Sequence, residues 1–145
     1  MSHLDDLYQE TILEHNKNPR NFKELPDCTH CAHGHNPLCG DDYEIFLNIK
    51  EDIIEDISFK GAGCAISKAS ASLMTSMLKG KNKNEALSIK DSFLKMVTAS
   101  CDGDCKNCLG KLKVFEGVKK YPVRVKCATL IWRALENALT TETAT

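Results

Sequence analysis

Three cysteines and one aspartate stand where thiol and carboxylate chemistry would need them. Cys39 sits in a Pro/Gly turn, NPLCGDD (36–42), directly before a strand-like run. Cys64 closes KGAGC (60–64), after a second strand-like run, and opens a helix. Cys127 lies in the first turns of the last helix, just after Arg124 and Lys126. A helix N-terminus and neighbouring cations favour the thiolate, the form that attacks sulfur or binds metal. With Asp41, three thiolates supply four ligands, suited to tetrahedral zinc or to part of an iron–sulfur cluster. Four thiolates would make a closed structural site, whereas one oxygen ligand is harder and more easily displaced, leaving an exchangeable position. Gly40 lets the turn bring Cys39 and Asp41 toward one centre. The competing interpretation is three small buried hydrophobes. It suits Cys127, which lies on an apolar stripe, better than Cys39 and Cys64, which lie in glycine-bearing turns beside polar groups.

These residues need elements to position them. Alternating apolar residues predict strands over 43–49 and 53–59, joined by the short acidic KEDI (50–53) as a hairpin. Antiparallel pairing would return Cys39 and Cys64 to the same edge. A helix is expected over 3–16, stopped by NPRN (18–21) because the residue before a proline avoids helical angles. The cysteine- and histidine-rich stretch 27–42 shows no periodicity and reads as a loop. Further helices are expected from 66 to Gly80, over 84–99, and from Tyr121-Pro122 onward. The last carries a clear stripe of Cys127, Leu130, Ile131, Ala134, Leu135, Ala138 and Leu139. Between the last two helices, SCDGDCKNCLGK (100–111) is turn-like. The class is α+β.

Composition narrows the function. The chain has 145 residues, one ordinary domain. At that length roughly 68–70% of the unfolded surface can be buried, so no disulfide scaffold is needed. A net charge of -1 without a basic tract argues against nucleic acid as a partner. The longest apolar run, CATLIW (127–132), is far too short for a membrane span, and the polar, acidic MSHLDDLYQE start is unlike a signal peptide. A cytoplasmic location is expected. There, thiols stay reduced, so eight cysteines point to metal binding or catalysis.

NPLCGD (36–41), GAGCAISKASASLM (61–74) and YPVRVKCATLIWRAL (121–135), in this order, closely resemble the iron–sulfur cluster assembly proteins of the SufU/IscU type, which are NifU N-terminal-like. The likeness runs over nearly the whole chain, including the opening helix and NPRN. It implies a small three-stranded antiparallel sheet with helices packed on one side and the three cysteines at one end. It also implies a single domain over 1–145 with a family insertion at about 82–112. Two details resemble the SufU branch. Lys126 stands where IscU-type scaffolds carry a histidine, and 62 residues separate Cys64 from Cys127. That resemblance implies Zn(2+) on Cys39, Asp41, Cys64 and Cys127. It further implies persulfide sulfur taken by Cys39 from a SufS-like cysteine desulfurase and passed to downstream assembly proteins or apoproteins. Lys126 and Arg124 are expected to stabilise local negative charge or dock the partner, against a bland alternative of a solvated helix start. Such a protein is a sulfur-transfer or scaffold protein more than a free-standing enzyme. The alternative is a scaffold that assembles a [2Fe–2S] cluster on the same three cysteines.

Five cysteines stand outside that pattern. Cys28-x-x-Cys31 and Cys105-x-x-Cys108 each have zinc-knuckle spacing, and together they would supply four thiolates for a second metal or redox site, with Cys101 as a spare. The 73 residues between the pairs exceed usual zinc-ribbon separations, which favours two independent exposed pairs. A thioredoxin-like role for either pair is weak, since neither follows a buried strand and opens a clear helix.

Overall fold

The computed structural model describes residues 3–37, 40–98 and 109–140. A three-stranded antiparallel sheet has the order β1 (His30–Asn36), β2 (Asp41–Lys50) and β3 (Ile53–Ala62). The predicted hairpin is β2–β3, turned by Glu51 and Asp52, both at positive φ (53° and 65°). Two such residues match the right-handed twist of the flanking strands. Ile45 opposes Phe59 and Leu47 opposes Ile57, and all four side chains are fully buried on one face. The edge of β3 is capped by the segment after the first helix. Phe59 N–H donates to Asn21 O and Lys23 N–H to Phe59 O, each at 3.0 Å, which leaves that edge little to pair with.

Strand β1 corrects the expectation of a loop over 27–42. Its inward positions, Ala32 and Gly34, are small because a helix packs directly on them. A Cβ on Gly34 would stand 3.3 Å from Leu130 and 3.4 Å from Ala134. Cys31, His33 and His35 face outward and are exposed. The alternation is real, but it separates small residues from polar ones, so hydrophobicity does not reveal it.

The helices are α1 (His3–Lys17), α2 (Ala65–Leu78), α3 (Lys83–Thr98) and α4 (Pro122–Thr140), with a 3-10 segment over Gly110–Lys120, and α2 and α4 are the two that pack directly on the sheet. Helix α4 lies on β1 and β2, and α2 lies on β3. Pro122 opens α4, where its missing N–H costs nothing. Helix α3 and the 3-10 segment close the core through Phe93, which stacks on Trp132 at 4.7 Å and meets Phe115 edge-on at 5.8 Å. Among the described residues no helix is long and apolar enough to cross a membrane. The C-terminal ends of β1 and β3, the start of β2 and the N-termini of α2 and α4 therefore converge on one end of the domain.

Candidate metal centre

That convergence gathers three of the four expected ligands. Asp41 begins β2 and is fully buried. Cys64 is the N-cap of α2 and exposed, and Cys127 is buried in the second turn of α4. One donor atom from each lies within 4.8 Å of the others, and no other such group of histidine, cysteine or acidic side chains occurs among the described residues. Cys39 lies outside the described residues. Its neighbour Gly40 has φ +77°, the left-handed turn that glycine adopts freely.

Backbone and side chains hold the ligands. The Cys64 N–H donates to Asp41 Oδ1 at 2.9 Å, while Asp41 Oδ2 stands 4.0 Å from Cys64 Sγ. Extended angles at Cys64 (φ -74°, ψ 170°) turn its sulfur back over the helix start, where it accepts the Ser67 N–H at 3.4 Å. Cysteine here takes the place of a capping serine, so the same N–H that closes the helix also steadies the sulfur. The Ser67 hydroxyl donates to the Cys64 carbonyl at 3.0 Å and lies 3.2 Å from the Tyr43 hydroxyl. Burial pushes the Tyr43 phenol up to about 12, so it stays neutral beside the centre. Gly63 is required by this crowding: a Cβ there would meet Asp41 Oδ1, Ser67 Oγ (2.7 Å) and Tyr43 OH (2.8 Å).

A second contact sets the distance between the two helices. The buried Ser70 hydroxyl donates to Ala128 O at 2.6 Å and accepts Trp132 Nε1–H at 3.1 Å. Because Ala128 follows Cys127, this bond fixes one ligand helix against the other. Tetrahedral zinc places sulfur and oxygen ligands about 3.6 Å apart and two sulfurs about 3.8 Å apart. The observed 4.0 Å and the 4.8 Å limit lie within small side-chain adjustments of that geometry. Two sulfurs and one carboxylate fit a thiophilic divalent ion.

Lys126 and Arg124 are both exposed at the start of α4. The Arg124 guanidinium lies over the Tyr121 ring at 4.8 Å. Lys126 joins Lys119 and Arg133 around an open cleft of about 580 Å³ whose apolar floor includes Val97, Val125 and Leu130. None of these three cations forms an ion pair among the described residues. Cys28 and Cys31 lie at the opposite end of β1, away from Asp41. Cys101, Cys105 and Cys108, and with them the expected four-thiolate second site, lie outside the described residues.

Sequence reasoning missed Tyr43, Gly63, Ser67 and Ser70. A Cys-x-x-Ser spacing at a helix start was an available signal for the cap, since position N3 is where an N-cap side chain finds its N–H.

The NifU-like N terminal domain family matches residues 7–128. The zinc-dependent sulfurtransferase SufU of Bacillus subtilis is 43% identical over 97% of this chain and 95% of its own. The iron–sulfur cluster assembly scaffold protein IscU of Streptococcus pyogenes serotype M1 is 40% identical, over 96% of this chain and 86% of its own. Among solved structures, an iron–sulfur cluster assembly scaffold protein for the SUF system from Fervidobacterium islandicum AW-1 superposes with a TM-score of 0.86 at 35% identity, covering 97% of this chain and all of that one. With three candidate ligands converging in a sheet-and-helix frame that the F. islandicum structure shares, the chain belongs to the NifU-like N-terminal domain family and is an iron–sulfur cluster assembly protein of the SufU/IscU type.

Proposed function

We propose that the protein accepts sulfur for iron–sulfur cluster assembly, with Cys39 as the acceptor and zinc held by Cys39, Asp41, Cys64 and Cys127. The observation that carries this reading is the mixed donor set: a fully buried carboxylate within 4.8 Å of two thiols, beside a glycine turn that bears a third. Bound zinc would keep its cysteine ligands as thiolates and hold them at the domain end. Asp41, fixed by the Cys64 N–H, supplies the harder and more exchangeable ligand.

The transfer itself is thiol exchange. The Cys39 thiolate attacks the outer sulfur of a persulfide on a cysteine desulfurase. A sulfur–sulfur bond forms to Cys39 while the donor's own sulfur–sulfur bond breaks, and the donor cysteine leaves as thiolate. Lys126, Lys119 and Arg133 ring the adjoining cleft with positive charge, which suits an acidic surface on the donor and steers its approach.

The test is single-turnover transfer from a desulfurase charged with cysteine, read by mass spectrometry. One sulfur atom should add at Cys39, and Cys39→Ser should accept none. Undiminished sulfur uptake by Cys39→Ser would overturn the assignment. A second reading, assembly of a [2Fe–2S] cluster on the same cysteines, is favoured by the scaffold descriptions of the S. pyogenes and F. islandicum relatives. Asp41 suits that role too, since an oxygen ligand eases cluster release as well as zinc exchange.

A further inference from the structure

The Cys28–Cys31 pair remains after the centre has claimed its ligands, and its surroundings define it closely. The two side chains are near neighbours, and Cys31 helps to push the Cys28 thiol up. The chain between them is pinned to β2 by Thr29, whose N–H donates to Leu47 O at 2.9 Å and whose hydroxyl accepts the Ile49 N–H at 2.8 Å. The Cys28 N–H donates to Leu25 O at 3.1 Å, closing the turn on the other side. The backbone that carries both cysteines is thus anchored by bonds that neither sulfur makes. Cys31 is exposed and Cys28 half-buried. Cys31 opposes Phe46 in register, five residues along β2 from Asp41, a separation of about 17 Å at roughly 3.4 Å per residue.

No third metal-ligating side chain among the described residues joins this pair. Two thiolates alone leave zinc half coordinated. A Cys-x-x-Cys on an anchored backbone, with one exposed cysteine, suits two-electron thiol–disulfide chemistry instead.

We infer that Cys28 and Cys31 form a dithiol–disulfide site, independent of the metal centre, that exchanges with low-molecular-weight disulfides such as oxidised glutathione. The Cys31 thiolate attacks one sulfur of the disulfide, displaces the first small thiolate and forms a mixed disulfide. The Cys28 thiolate then attacks the Cys31 sulfur and displaces the second. Two protein thiols lose two electrons and two protons, and the small disulfide leaves as two thiols. Burial, followed by the charge of the adjacent Cys31, pushes the Cys28 thiol up, so the exposed Cys31 is the first to react.

The test treats the intact zinc-loaded chain with oxidised glutathione and maps cysteines by differential alkylation and tandem mass spectrometry. Wild type should form an internal Cys28–Cys31 disulfide. Cys28→Ser should trap one glutathione on Cys31. Cys31→Ser should react at Cys28 at least about tenfold more slowly, in keeping with its lower access. Zinc content and sulfur uptake at Cys39 should be the same in both variants. Stable glutathione adducts on both cysteines of the wild type would overturn the proposal, as would pairing of Cys28 with any other cysteine. Loss of about one zinc per chain in Cys28→Ser would overturn it too, because it would make the pair metal ligands. Since sulfur uptake at Cys39 is read separately, this proposal and the sulfur-acceptor reading can fail independently.

Discussion

Replacing Gly63 with alanine perturbs the centre without touching a ligand. The added methyl would press on the Asp41 carboxylate and stand 2.7 Å from Ser67 Oγ and 2.8 Å from Tyr43 OH, all closer than carbon and oxygen pack. The Asp41 carboxylate is fully buried and held by the Cys64 N–H, so it cannot yield without giving up that bond. Overpacking of this kind costs about 1–3 kcal/mol of stability. Displacing a group that orients a ligand lowers metal affinity about 10–100-fold. That range corresponds to about 1.4–2.7 kcal/mol. Chelator competition should report the weaker zinc binding, and thermal unfolding of the zinc-free protein should report the packing cost. Gly117→Ala, with open space around its Cβ, is the control and should leave affinity unchanged. Zinc affinity of Gly63→Ala within about twofold of wild type would refute the claim that this packing places the Asp41 ligand.

Other perturbations follow from the same contacts. Ser70→Ala leaves the buried Trp132 N–H without its acceptor and should cost about 1–3 kcal/mol in denaturant unfolding. Burial, then the charges of Arg20 and Lys111, holds His15 below its ordinary value of 6.5, so the fold favours the neutral ring that Ser72 contacts at 2.7 Å. Its contribution is complete above pH 6.5 and is lost as pH falls through the lower folded value, so thermal stability should drop on acidification. His15→Asn should flatten that slope, and an unchanged slope would count against the assignment. Lys126→Glu should slow sulfur transfer at least about tenfold at low salt while changing stability by less than about 0.5 kcal/mol.

The centre was legible where its chemistry sits in turns. Gly40 and Gly63 flank Cys39, Asp41 and Cys64, and thiols in glycine-bearing turns beside charges are hard to explain as core filling. The hairpin was legible from Ile45, Leu47, Ile57 and Phe59, whose alternation is strongly apolar. Strand β1 was not, because its inward residues are Ala32 and Gly34, and smallness carries no hydrophobic signal. Buried polar groups were equally hidden. Ser67, Ser70 and Ser72 carry no hydrophobic signal, yet each is buried and bonded to another part of the chain, which only tertiary packing decides. Lys90 is similar: it looks like a surface cation, but it is nearly buried and paired with Glu136 at 2.7 Å across α3 and α4.

The most direct test of the account is metal and acid-labile sulfide content, with the visible spectrum, of protein purified without oxygen or added metal. The sulfur-acceptor account predicts about one zinc per chain, no sulfide and no visible absorption, with the zinc lost in Asp41→Ala and Cys127→Ser. Iron with matching sulfide and a coloured spectrum would contradict it and make the four residues the seat of an assembled cluster.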